Sequence, residues 1–152
     1  VQLPAQARLG FESQYFKMVS YKVKDNNESP LRQRVGFLGI PPWRLNNQVS
    51  FGMADHDVTL SSRTIARQWI DPETASSDFQ RGIKIGSYTE YDAVYGVTLP
   101  WNGSLQLGVN NILDTIGGVV SDESPGSETI ARETGTYSYI GRSYYARITQ
   151  KF

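Results

Sequence analysis

Thr136-Tyr137-Ser138-Tyr139-Ile140-Gly141-Arg142-Ser143-Tyr144-Tyr145-Ala146-Arg147-Ile148-Thr149-Gln150-Lys151-Phe152 is the stretch on which the fold turns. Read backwards from Phe152, one side carries Phe152, Gln150, Ile148, Ala146 and Tyr144, and the other Lys151, Thr149, Arg147, Tyr145 and Ser143. A period of two, mostly apolar against charged or hydroxyl-bearing, is the signature of a strand. Chain ends tend to fray, so an aromatic last residue on the apolar side is unusual in a soluble domain. It suits the closing strand of a membrane β-barrel, where aromatics occupy girdles at both interfaces. At about 3.3 Å per residue and a tilt near 40°, Tyr144 and Phe152 lie roughly 20 Å apart along the membrane normal, close to the height of such a band. The plainer reading is an amphipathic strand of a soluble sheet.

Composition narrows the choice. The chain has 152 residues, with 15 Lys and Arg against 15 Asp and Glu. A formal charge of zero argues against nucleic acid as a partner, since that needs a basic surface. The absence of cysteine excludes disulfides and thiolate metal sites. No run of eighteen apolar residues exists, so no transmembrane helix is expected. Barrel strands alternate and average to polar hydropathy, so the membrane stays open. Nine Tyr, three Trp and 14 Gly give a strand-and-turn profile. The chain opens on Val1 without an initiator Met or a signal peptide and is expected to be processed or cut from something longer.

In chain order, residues 7–21 alternate, with Leu9, Phe11, Tyr15, Val19 and Tyr21 against Arg8, Gly10, Glu12, Gln14 and Ser20; Phe16 and Met18 are exceptions. Residues 24–30 form a charged turn that continues without period to Pro42. A second strand, 43–53, gathers Trp43, Leu45, Val49, Phe51 and Met53 on one side. A turn over 54–57 leads to a third strand, 58–69, whose weak alternation a bulge near Ser62 would explain. After a polar loop, 71–84, residues 88–99 alternate most cleanly, with Tyr91, Ala93, Tyr95, Val97 and Leu99 together. Pro100-Trp101-Asn102-Gly103 is a tight turn whose Asn-Gly pair suits positive φ. A fifth strand, 104–112, precedes a Gly-, Ser- and acid-rich loop, 113–135, and the last strand.

Connections therefore alternate long and short, with both short turns at one end of the meander. Outer-membrane barrels combine short periplasmic turns with long extracellular loops in this way. The expected fold is all-β: an antiparallel up-and-down transmembrane barrel meander. About six strands cannot close a barrel, since the smallest membrane barrels have about eight. Open edges in lipid would strand backbone polar groups. The chain is thus expected to be the C-terminal part of a larger barrel.

Gly108-Val109-Asn110-Asn111-Ile112-Leu113-Asp114, a long loop, Tyr139-Ile140-Gly141-Arg142-Ser143-Tyr144-Tyr145 and the terminal Lys151-Phe152 resemble the end of TonB-dependent outer-membrane receptors. Asn110, Asn111, Asp114, Gly141, Arg142 and Phe152 carry the match. Ile112-Leu113 departs from the usual Leu-Phe, and Thr115-Ile116-Gly117-Gly118 from a Pro-containing segment. The resemblance implies a barrel of about 22 strands with a plugged lumen. It implies TonB-energised uptake of a scarce small-molecule ligand, most readily a ferric siderophore or similar metal chelate. It also implies outer-membrane lipid, TonB, a plug domain and the barrel-assembly machinery as partners, and a bacterial outer-membrane location. The plug and the TonB box fall outside this chain. A passive porin-like channel and a soluble β-sandwich binding module are the alternatives.

Ligand binding is expected in the loops 23–42, 71–87 and 113–135, with Trp69, Phe79, Arg81 and Lys84 as candidates. Arg63, Arg67, Glu90, Asp92 and Arg147 are expected to face the lumen and pair there, because charges on a lipid face cost about 2–4 kcal/mol at midplane. Asp55-His56-Asp57 and the acids Asp122, Glu123 and Glu128 invite metal readings, against the plainer ones of a tight turn and a solvated loop. No zinc-protease motif, nucleophile elbow, phosphate loop or dinucleotide fingerprint is present, and the single His56 sits in a turn. No catalytic residue, cofactor or metal site is expected.

Overall fold

A computed structural model describes residues 7–24, 26–70, 84–117, 119–121, 130–132, 137–138 and 140–151. Its strands are β1 (Ala7–Lys17), β2 (Lys22–Val23), β3 (Arg32–Gln33), β4 (Trp43–Met53), β5 (His56–Ile65), β6 (Gln68–Trp69), β7 (Lys84–Ile85), β8 (Tyr88–Leu99), β9 (Gly103–Asn110), β10 (Val119–Ser121), β11 (Ile130–Arg132) and β12 (Ser143–Gln150). No helix occurs among the described residues. Six strands form one antiparallel sheet in the order β1-β4-β5-β8-β9-β12, so neighbours in sequence are neighbours in space. The others form three two-stranded ribbons, β2–β3, β6–β7 and β10–β11, one in each long connection. β1 and β12 are the sheet's edges, and the sheet is not closed.

The two short connections are tighter than the sequence suggests. Ala54-Asp55 alone joins β4 to β5, with Ala54 at φ 52°. Positive φ at the first turn residue is what lets a two-residue hairpin follow the strand twist. His56 and Asp57, expected in the turn, are already strand residues. Asn102 takes φ 58° between β8 and β9, where Asn is well tolerated.

Several strand ends also differ from expectation. β1 stops at Lys17, leaving Val19 and Tyr21 outside the sheet, because its partner β4 begins after Pro41-Pro42, which offer no N–H to a ladder. The Met18 N–H donates to the Pro42 carbonyl instead (3.0 Å). The expected third strand divides into β5 and β6, and there is no bulge at Ser62. β5 pairs without a skip on both sides, Ser62 lying opposite Asn47 and Tyr91. Its alternation is weak because Ser62 and Thr64 are polar residues on the apolar side. β9 ends at Asn110 because Asn111 turns to φ 53°, and β12 starts at Ser143.

The register sorts side chains into two faces. One carries Leu9, Phe11 and Tyr15; Trp43, Leu45, Val49, Phe51 and Met53; Val58 and Leu60; Tyr91, Ala93, Tyr95 and Val97; Leu105, Leu107 and Val109; and Tyr144, Ala146 and Ile148. This apolar face spans all six strands, and much of it is uncovered: Phe11 is 72 % and Ile148 75 % exposed. The opposite face carries Glu12, Gln14, Asn46, Gln48, Ser61, Arg63, Glu90, Asp92, Gln106, Asn110, Arg147 and Ser143.

The buried hydrophobic cluster lies at neither face's centre but at the end bearing the long connections. It joins Ile65, Ile70, Ile85, Tyr88 and Tyr137, with Leu38 packed against it. Tyr88 and Tyr137 meet edge to face, 5.6 Å between centroids at 90°, a favoured aromatic geometry. Backbone bonds knit the first two long connections: Trp69 N–H donates to the Gly36 carbonyl and Leu38 N–H to that of Trp69, both at 2.9 Å. Ile65 and Tyr88 belong to the polar face by register, so the connections gather over that side.

Candidate functional site

The polar face is organised around Arg63. On β5 it lies opposite Asn46 of β4 and Glu90 of β8. Its Nη2 is 3.1 Å from Glu90 Oε2 and 3.9 Å from Asp92 Oδ2. The two partners differ in setting: the Glu90 side chain is 6 % exposed and that of Arg63 54 %. A buried carboxylate needs hydrogen bonds as well as an opposite charge. Glu90 has them, since the Tyr88 hydroxyl donates to the same Oε2 at 3.2 Å.

Asp92 ties this wall to the turn after β9. Its Oδ1 accepts the Asn111 N–H at 2.8 Å. Asn111 is buried, and its amide holds Thr115 twice: Nδ2 donates to the Thr115 carbonyl (2.9 Å) and Oδ1 accepts its N–H (2.8 Å). Asp114, at φ 54°, closes the turn and accepts the Arg142 N–H on Oδ1 at 2.7 Å. The motif residues Asn111, Asp114, Gly141 and Arg142 therefore form one interlocked junction between β9 and β12. Asn and Asp are the residues besides Gly that enter the left-handed region most readily, which is the physical reason for their places. Asn110 faces Ser143 and donates to its hydroxyl through Nδ2 at 3.2 Å.

Among the described residues, Arg63 borders three open cavities of the polar face: one with Glu12, Gln14 and Gln48; one with Asn110 and Gly141; one with Arg44, Tyr88 and Ser138. Arg147 lies on the same face of β12, opposite Gln106. Arg67 is exposed in the step between β5 and β6, beyond the main sheet. Trp69 and Lys84 pair through their backbones as the β6–β7 ribbon. Phe79, Arg81 and Phe152, like Asp122, Glu123 and Glu128, lie outside the described residues.

Asp55, His56 and Asp57 do not converge. The pleat sends His56 to the apolar face, where Nδ1 lies 2.6 Å from the Tyr95 hydroxyl, and Asp57 to the polar face beside Gly96. Sequence reasoning missed Tyr88, Gln68 and Tyr137 as a buried group; the Gln68 amide bonds the Tyr137 hydroxyl from a segment far away in the chain. It also missed Arg44, whose setting depends on the register between β4 and β5.

No protein-family model, curated protein or solved structure matches the chain. What defines the class is the fold and the polar wall: an all-β chain built on an open, two-faced antiparallel meander.

Proposed function

We propose that this chain is wall of a bacterial outer-membrane β-barrel, from a TonB-dependent receptor that takes up a small-molecule ligand, with siderophore-type chelates the leading class. The observation that carries the reading is the division of the sheet. Large apolar side chains cover one face across six strands, while the ion-paired polar side chains and the packed long connections share the other. A membrane barrel needs lipid outside and a polar lumen inside, and this division supplies both.

Aromatics mark the limits of the apolar face. Tyr15 and Trp43 pack together at the long-connection end, 6.2 Å between centroids, and Trp101 is exposed at the short-turn end. Amphipathic rings favour the membrane interface. In this reading the lumen wall is Arg63, Glu90, Asp92 and Arg147, and the loops carrying Trp69 and Lys84 face outward. The missing strands, the plug and the TonB contact come from elsewhere in the receptor. The residues of the interlocked turn, Asn111, Asp114, Gly141 and Arg142, are among those on which the resemblance to the family rests.

The absence of cysteine makes the test direct. Single cysteines are placed at each position from 57 to 64 on β5 in the protein reconstituted in vesicles. A lipid-phase quencher should reach labels at 58, 60 and 62, and a water-soluble maleimide should modify 57, 59, 61 and 63. Water-soluble reagent reaching every position, in protein that stays dissolved without detergent, would replace the barrel with a soluble β-sandwich. Correct alternation with ligand flux independent of the proton-motive force would favour a passive channel.

A further inference from the structure

The cavity between Arg44 and Arg63 is a different kind of place from the rest of the polar wall. It measures about 410 Å³ and is floored by Ile65 and Tyr88. Arg44 lies opposite Ile65, and Asn46, two residues along the same face, lies opposite Arg63. Arg63 is compensated by Glu90 and Asp92. Arg44 is not: it is exposed, and it makes no ion pair among the described residues. The Asn46 side chain is likewise without a hydrogen-bond partner there. Ser138, at the rim, is occupied, its Oγ accepting the Ile140 N–H at 3.2 Å.

We propose that this cavity seats a small ligand bearing one carboxylate on a compact apolar body, held by Arg44 and Asn46. The class follows from the charges. With Arg63 already paired, Arg44 is the one cation of the cavity left uncompensated among the described residues, which matches a monoanion rather than a phosphate carrying about two charges. A guanidinium fork holds a carboxylate bidentately, which a point charge would not do. The buried Glu90 carboxylate repels an anion from the Arg63 side and directs it to Arg44. Asn46 adds a donor for the second oxygen, and Ile65 and the Tyr88 ring receive the apolar part. The volume falls in the usual range for small-molecule pockets, about 300–1,000 Å³, and is small for a folded polypeptide segment.

Accessibility of this cavity from outside the cell rests on the barrel reading; the binding itself does not. The test uses the complete protein in detergent, with benzoate as the probe and benzyl alcohol as its neutral counterpart, followed by ligand-observed NMR titration. Saturable benzoate binding is expected, weakened at least tenfold by Arg44→Gln and partly kept by Arg44→Lys, with benzyl alcohol indifferent to both. Asn46→Ala should weaken benzoate less than Arg44→Gln does. Benzoate binding unchanged in Arg44→Gln, or no saturable binding by protein whose strand content is intact, overturns the assignment. So does a cysteine at position 46 that crosslinks to a polypeptide and leaves no room for the probe. Failure of the vesicle-labelling pattern with carboxylate binding intact would remove the barrel and leave this site standing.

Discussion

The Arg142 N–H donates to Asp114 Oδ1 at 2.7 Å, so the first turn after β9 holds the start of β12. Asp114 does this from φ 54°, and a Cβ on Gly141 would come within 2.6 Å of the same oxygen. Asp114→Ala loses a charge-assisted acceptor and puts a poor residue in the left-handed region, a combined loss of about 2–4 kcal/mol. Asp114→Asn keeps an acceptor and the tolerated conformation and should lose less than half of that. Denaturant unfolding of the three proteins side by side gives the order; equal losses for Ala and Asn would remove the bond from the account.

Gly108 is required for another reason. The Tyr145 ring, opposite on β12, covers it so closely that an added Cβ would fall 2.2 Å from ring carbons. Gly108→Ala must displace the ring, an overpacking effect of about 1–3 kcal/mol. In Tyr145→Ala the same Gly108→Ala change should cost almost nothing. A double-mutant cycle measures this, and strict additivity would mean that the ring does not lie there in solution.

How far the sequence speaks depends on whether a feature repeats locally. The period of two placed Leu9, Phe11, Val49, Phe51, Val58, Leu60, Tyr95 and Leu107 on a common face, and the register agrees. The alternation of short and long connections was legible from Asn102-Gly103 and the polar loops. Strand ends were less so, because they depend on a partner: β1 stops where Pro41 and Pro42 leave the partner strand without N–H donors, not where its own alternation fades. The weak pattern at Ser62 reads as a bulge in one dimension and as a hydrogen-bonded polar step in two, with the Ser13 hydroxyl donating to Asn47 Oδ1 at 2.8 Å in the same row. The Arg63–Glu90 pair and the Gln68–Tyr137 contact join distant segments, so no local signal announces their geometry.

Removing the two partners of the Arg63–Glu90 pair should have unequal effects. Arg63→Ala leaves a carboxylate that is 6 % exposed with, among the described residues, only the Tyr88 hydroxyl to hold it. Glu90→Gln leaves a half-exposed guanidinium that water and Asp92 can satisfy. Stranding the buried charge should cost about 2–3 kcal/mol, and stranding the exposed one under about 1 kcal/mol. Unfolding midpoints in the same detergent decide the matter. The reverse order would mean that Glu90 is hydrated in the folded protein.

At the β4–β5 turn, Ala54 holds φ 52°, a conformation that costs a residue with a Cβ roughly 1–2 kcal/mol. Ala54→Gly removes that strain but loosens the unfolded chain by about 0.4–1 kcal/mol. The net expectation is a gain of about 0–1.6 kcal/mol from the difference of these two effects. Asn102→Ala, at φ 58°, should move the other way by about 1 kcal/mol. If both substitutions shift the unfolding midpoint in the same direction, the turn geometry assigned to one of them is wrong.

Leu60 and Ser61 are adjacent on β5 and lie on opposite faces, Leu60 opposite Ala93 and Ser61 opposite Asp92. If the apolar face meets lipid, Leu60→Arg places a cation in hydrocarbon and should cost about 2–4 kcal/mol of folding into a bilayer. Ser61→Arg adds its charge beside Asp92 and should cost under about 1 kcal/mol, because an opposite charge is within reach. Reversible urea titrations of folding into vesicles give both numbers, and thinner bilayers should reduce the first penalty without touching the second. A larger loss for Ser61→Arg would exchange the two faces and with them the lumen assignment of Arg63 and Glu90. Equal small losses would mean that neither face meets hydrocarbon, and the sheet would then have to find its partner layer in water.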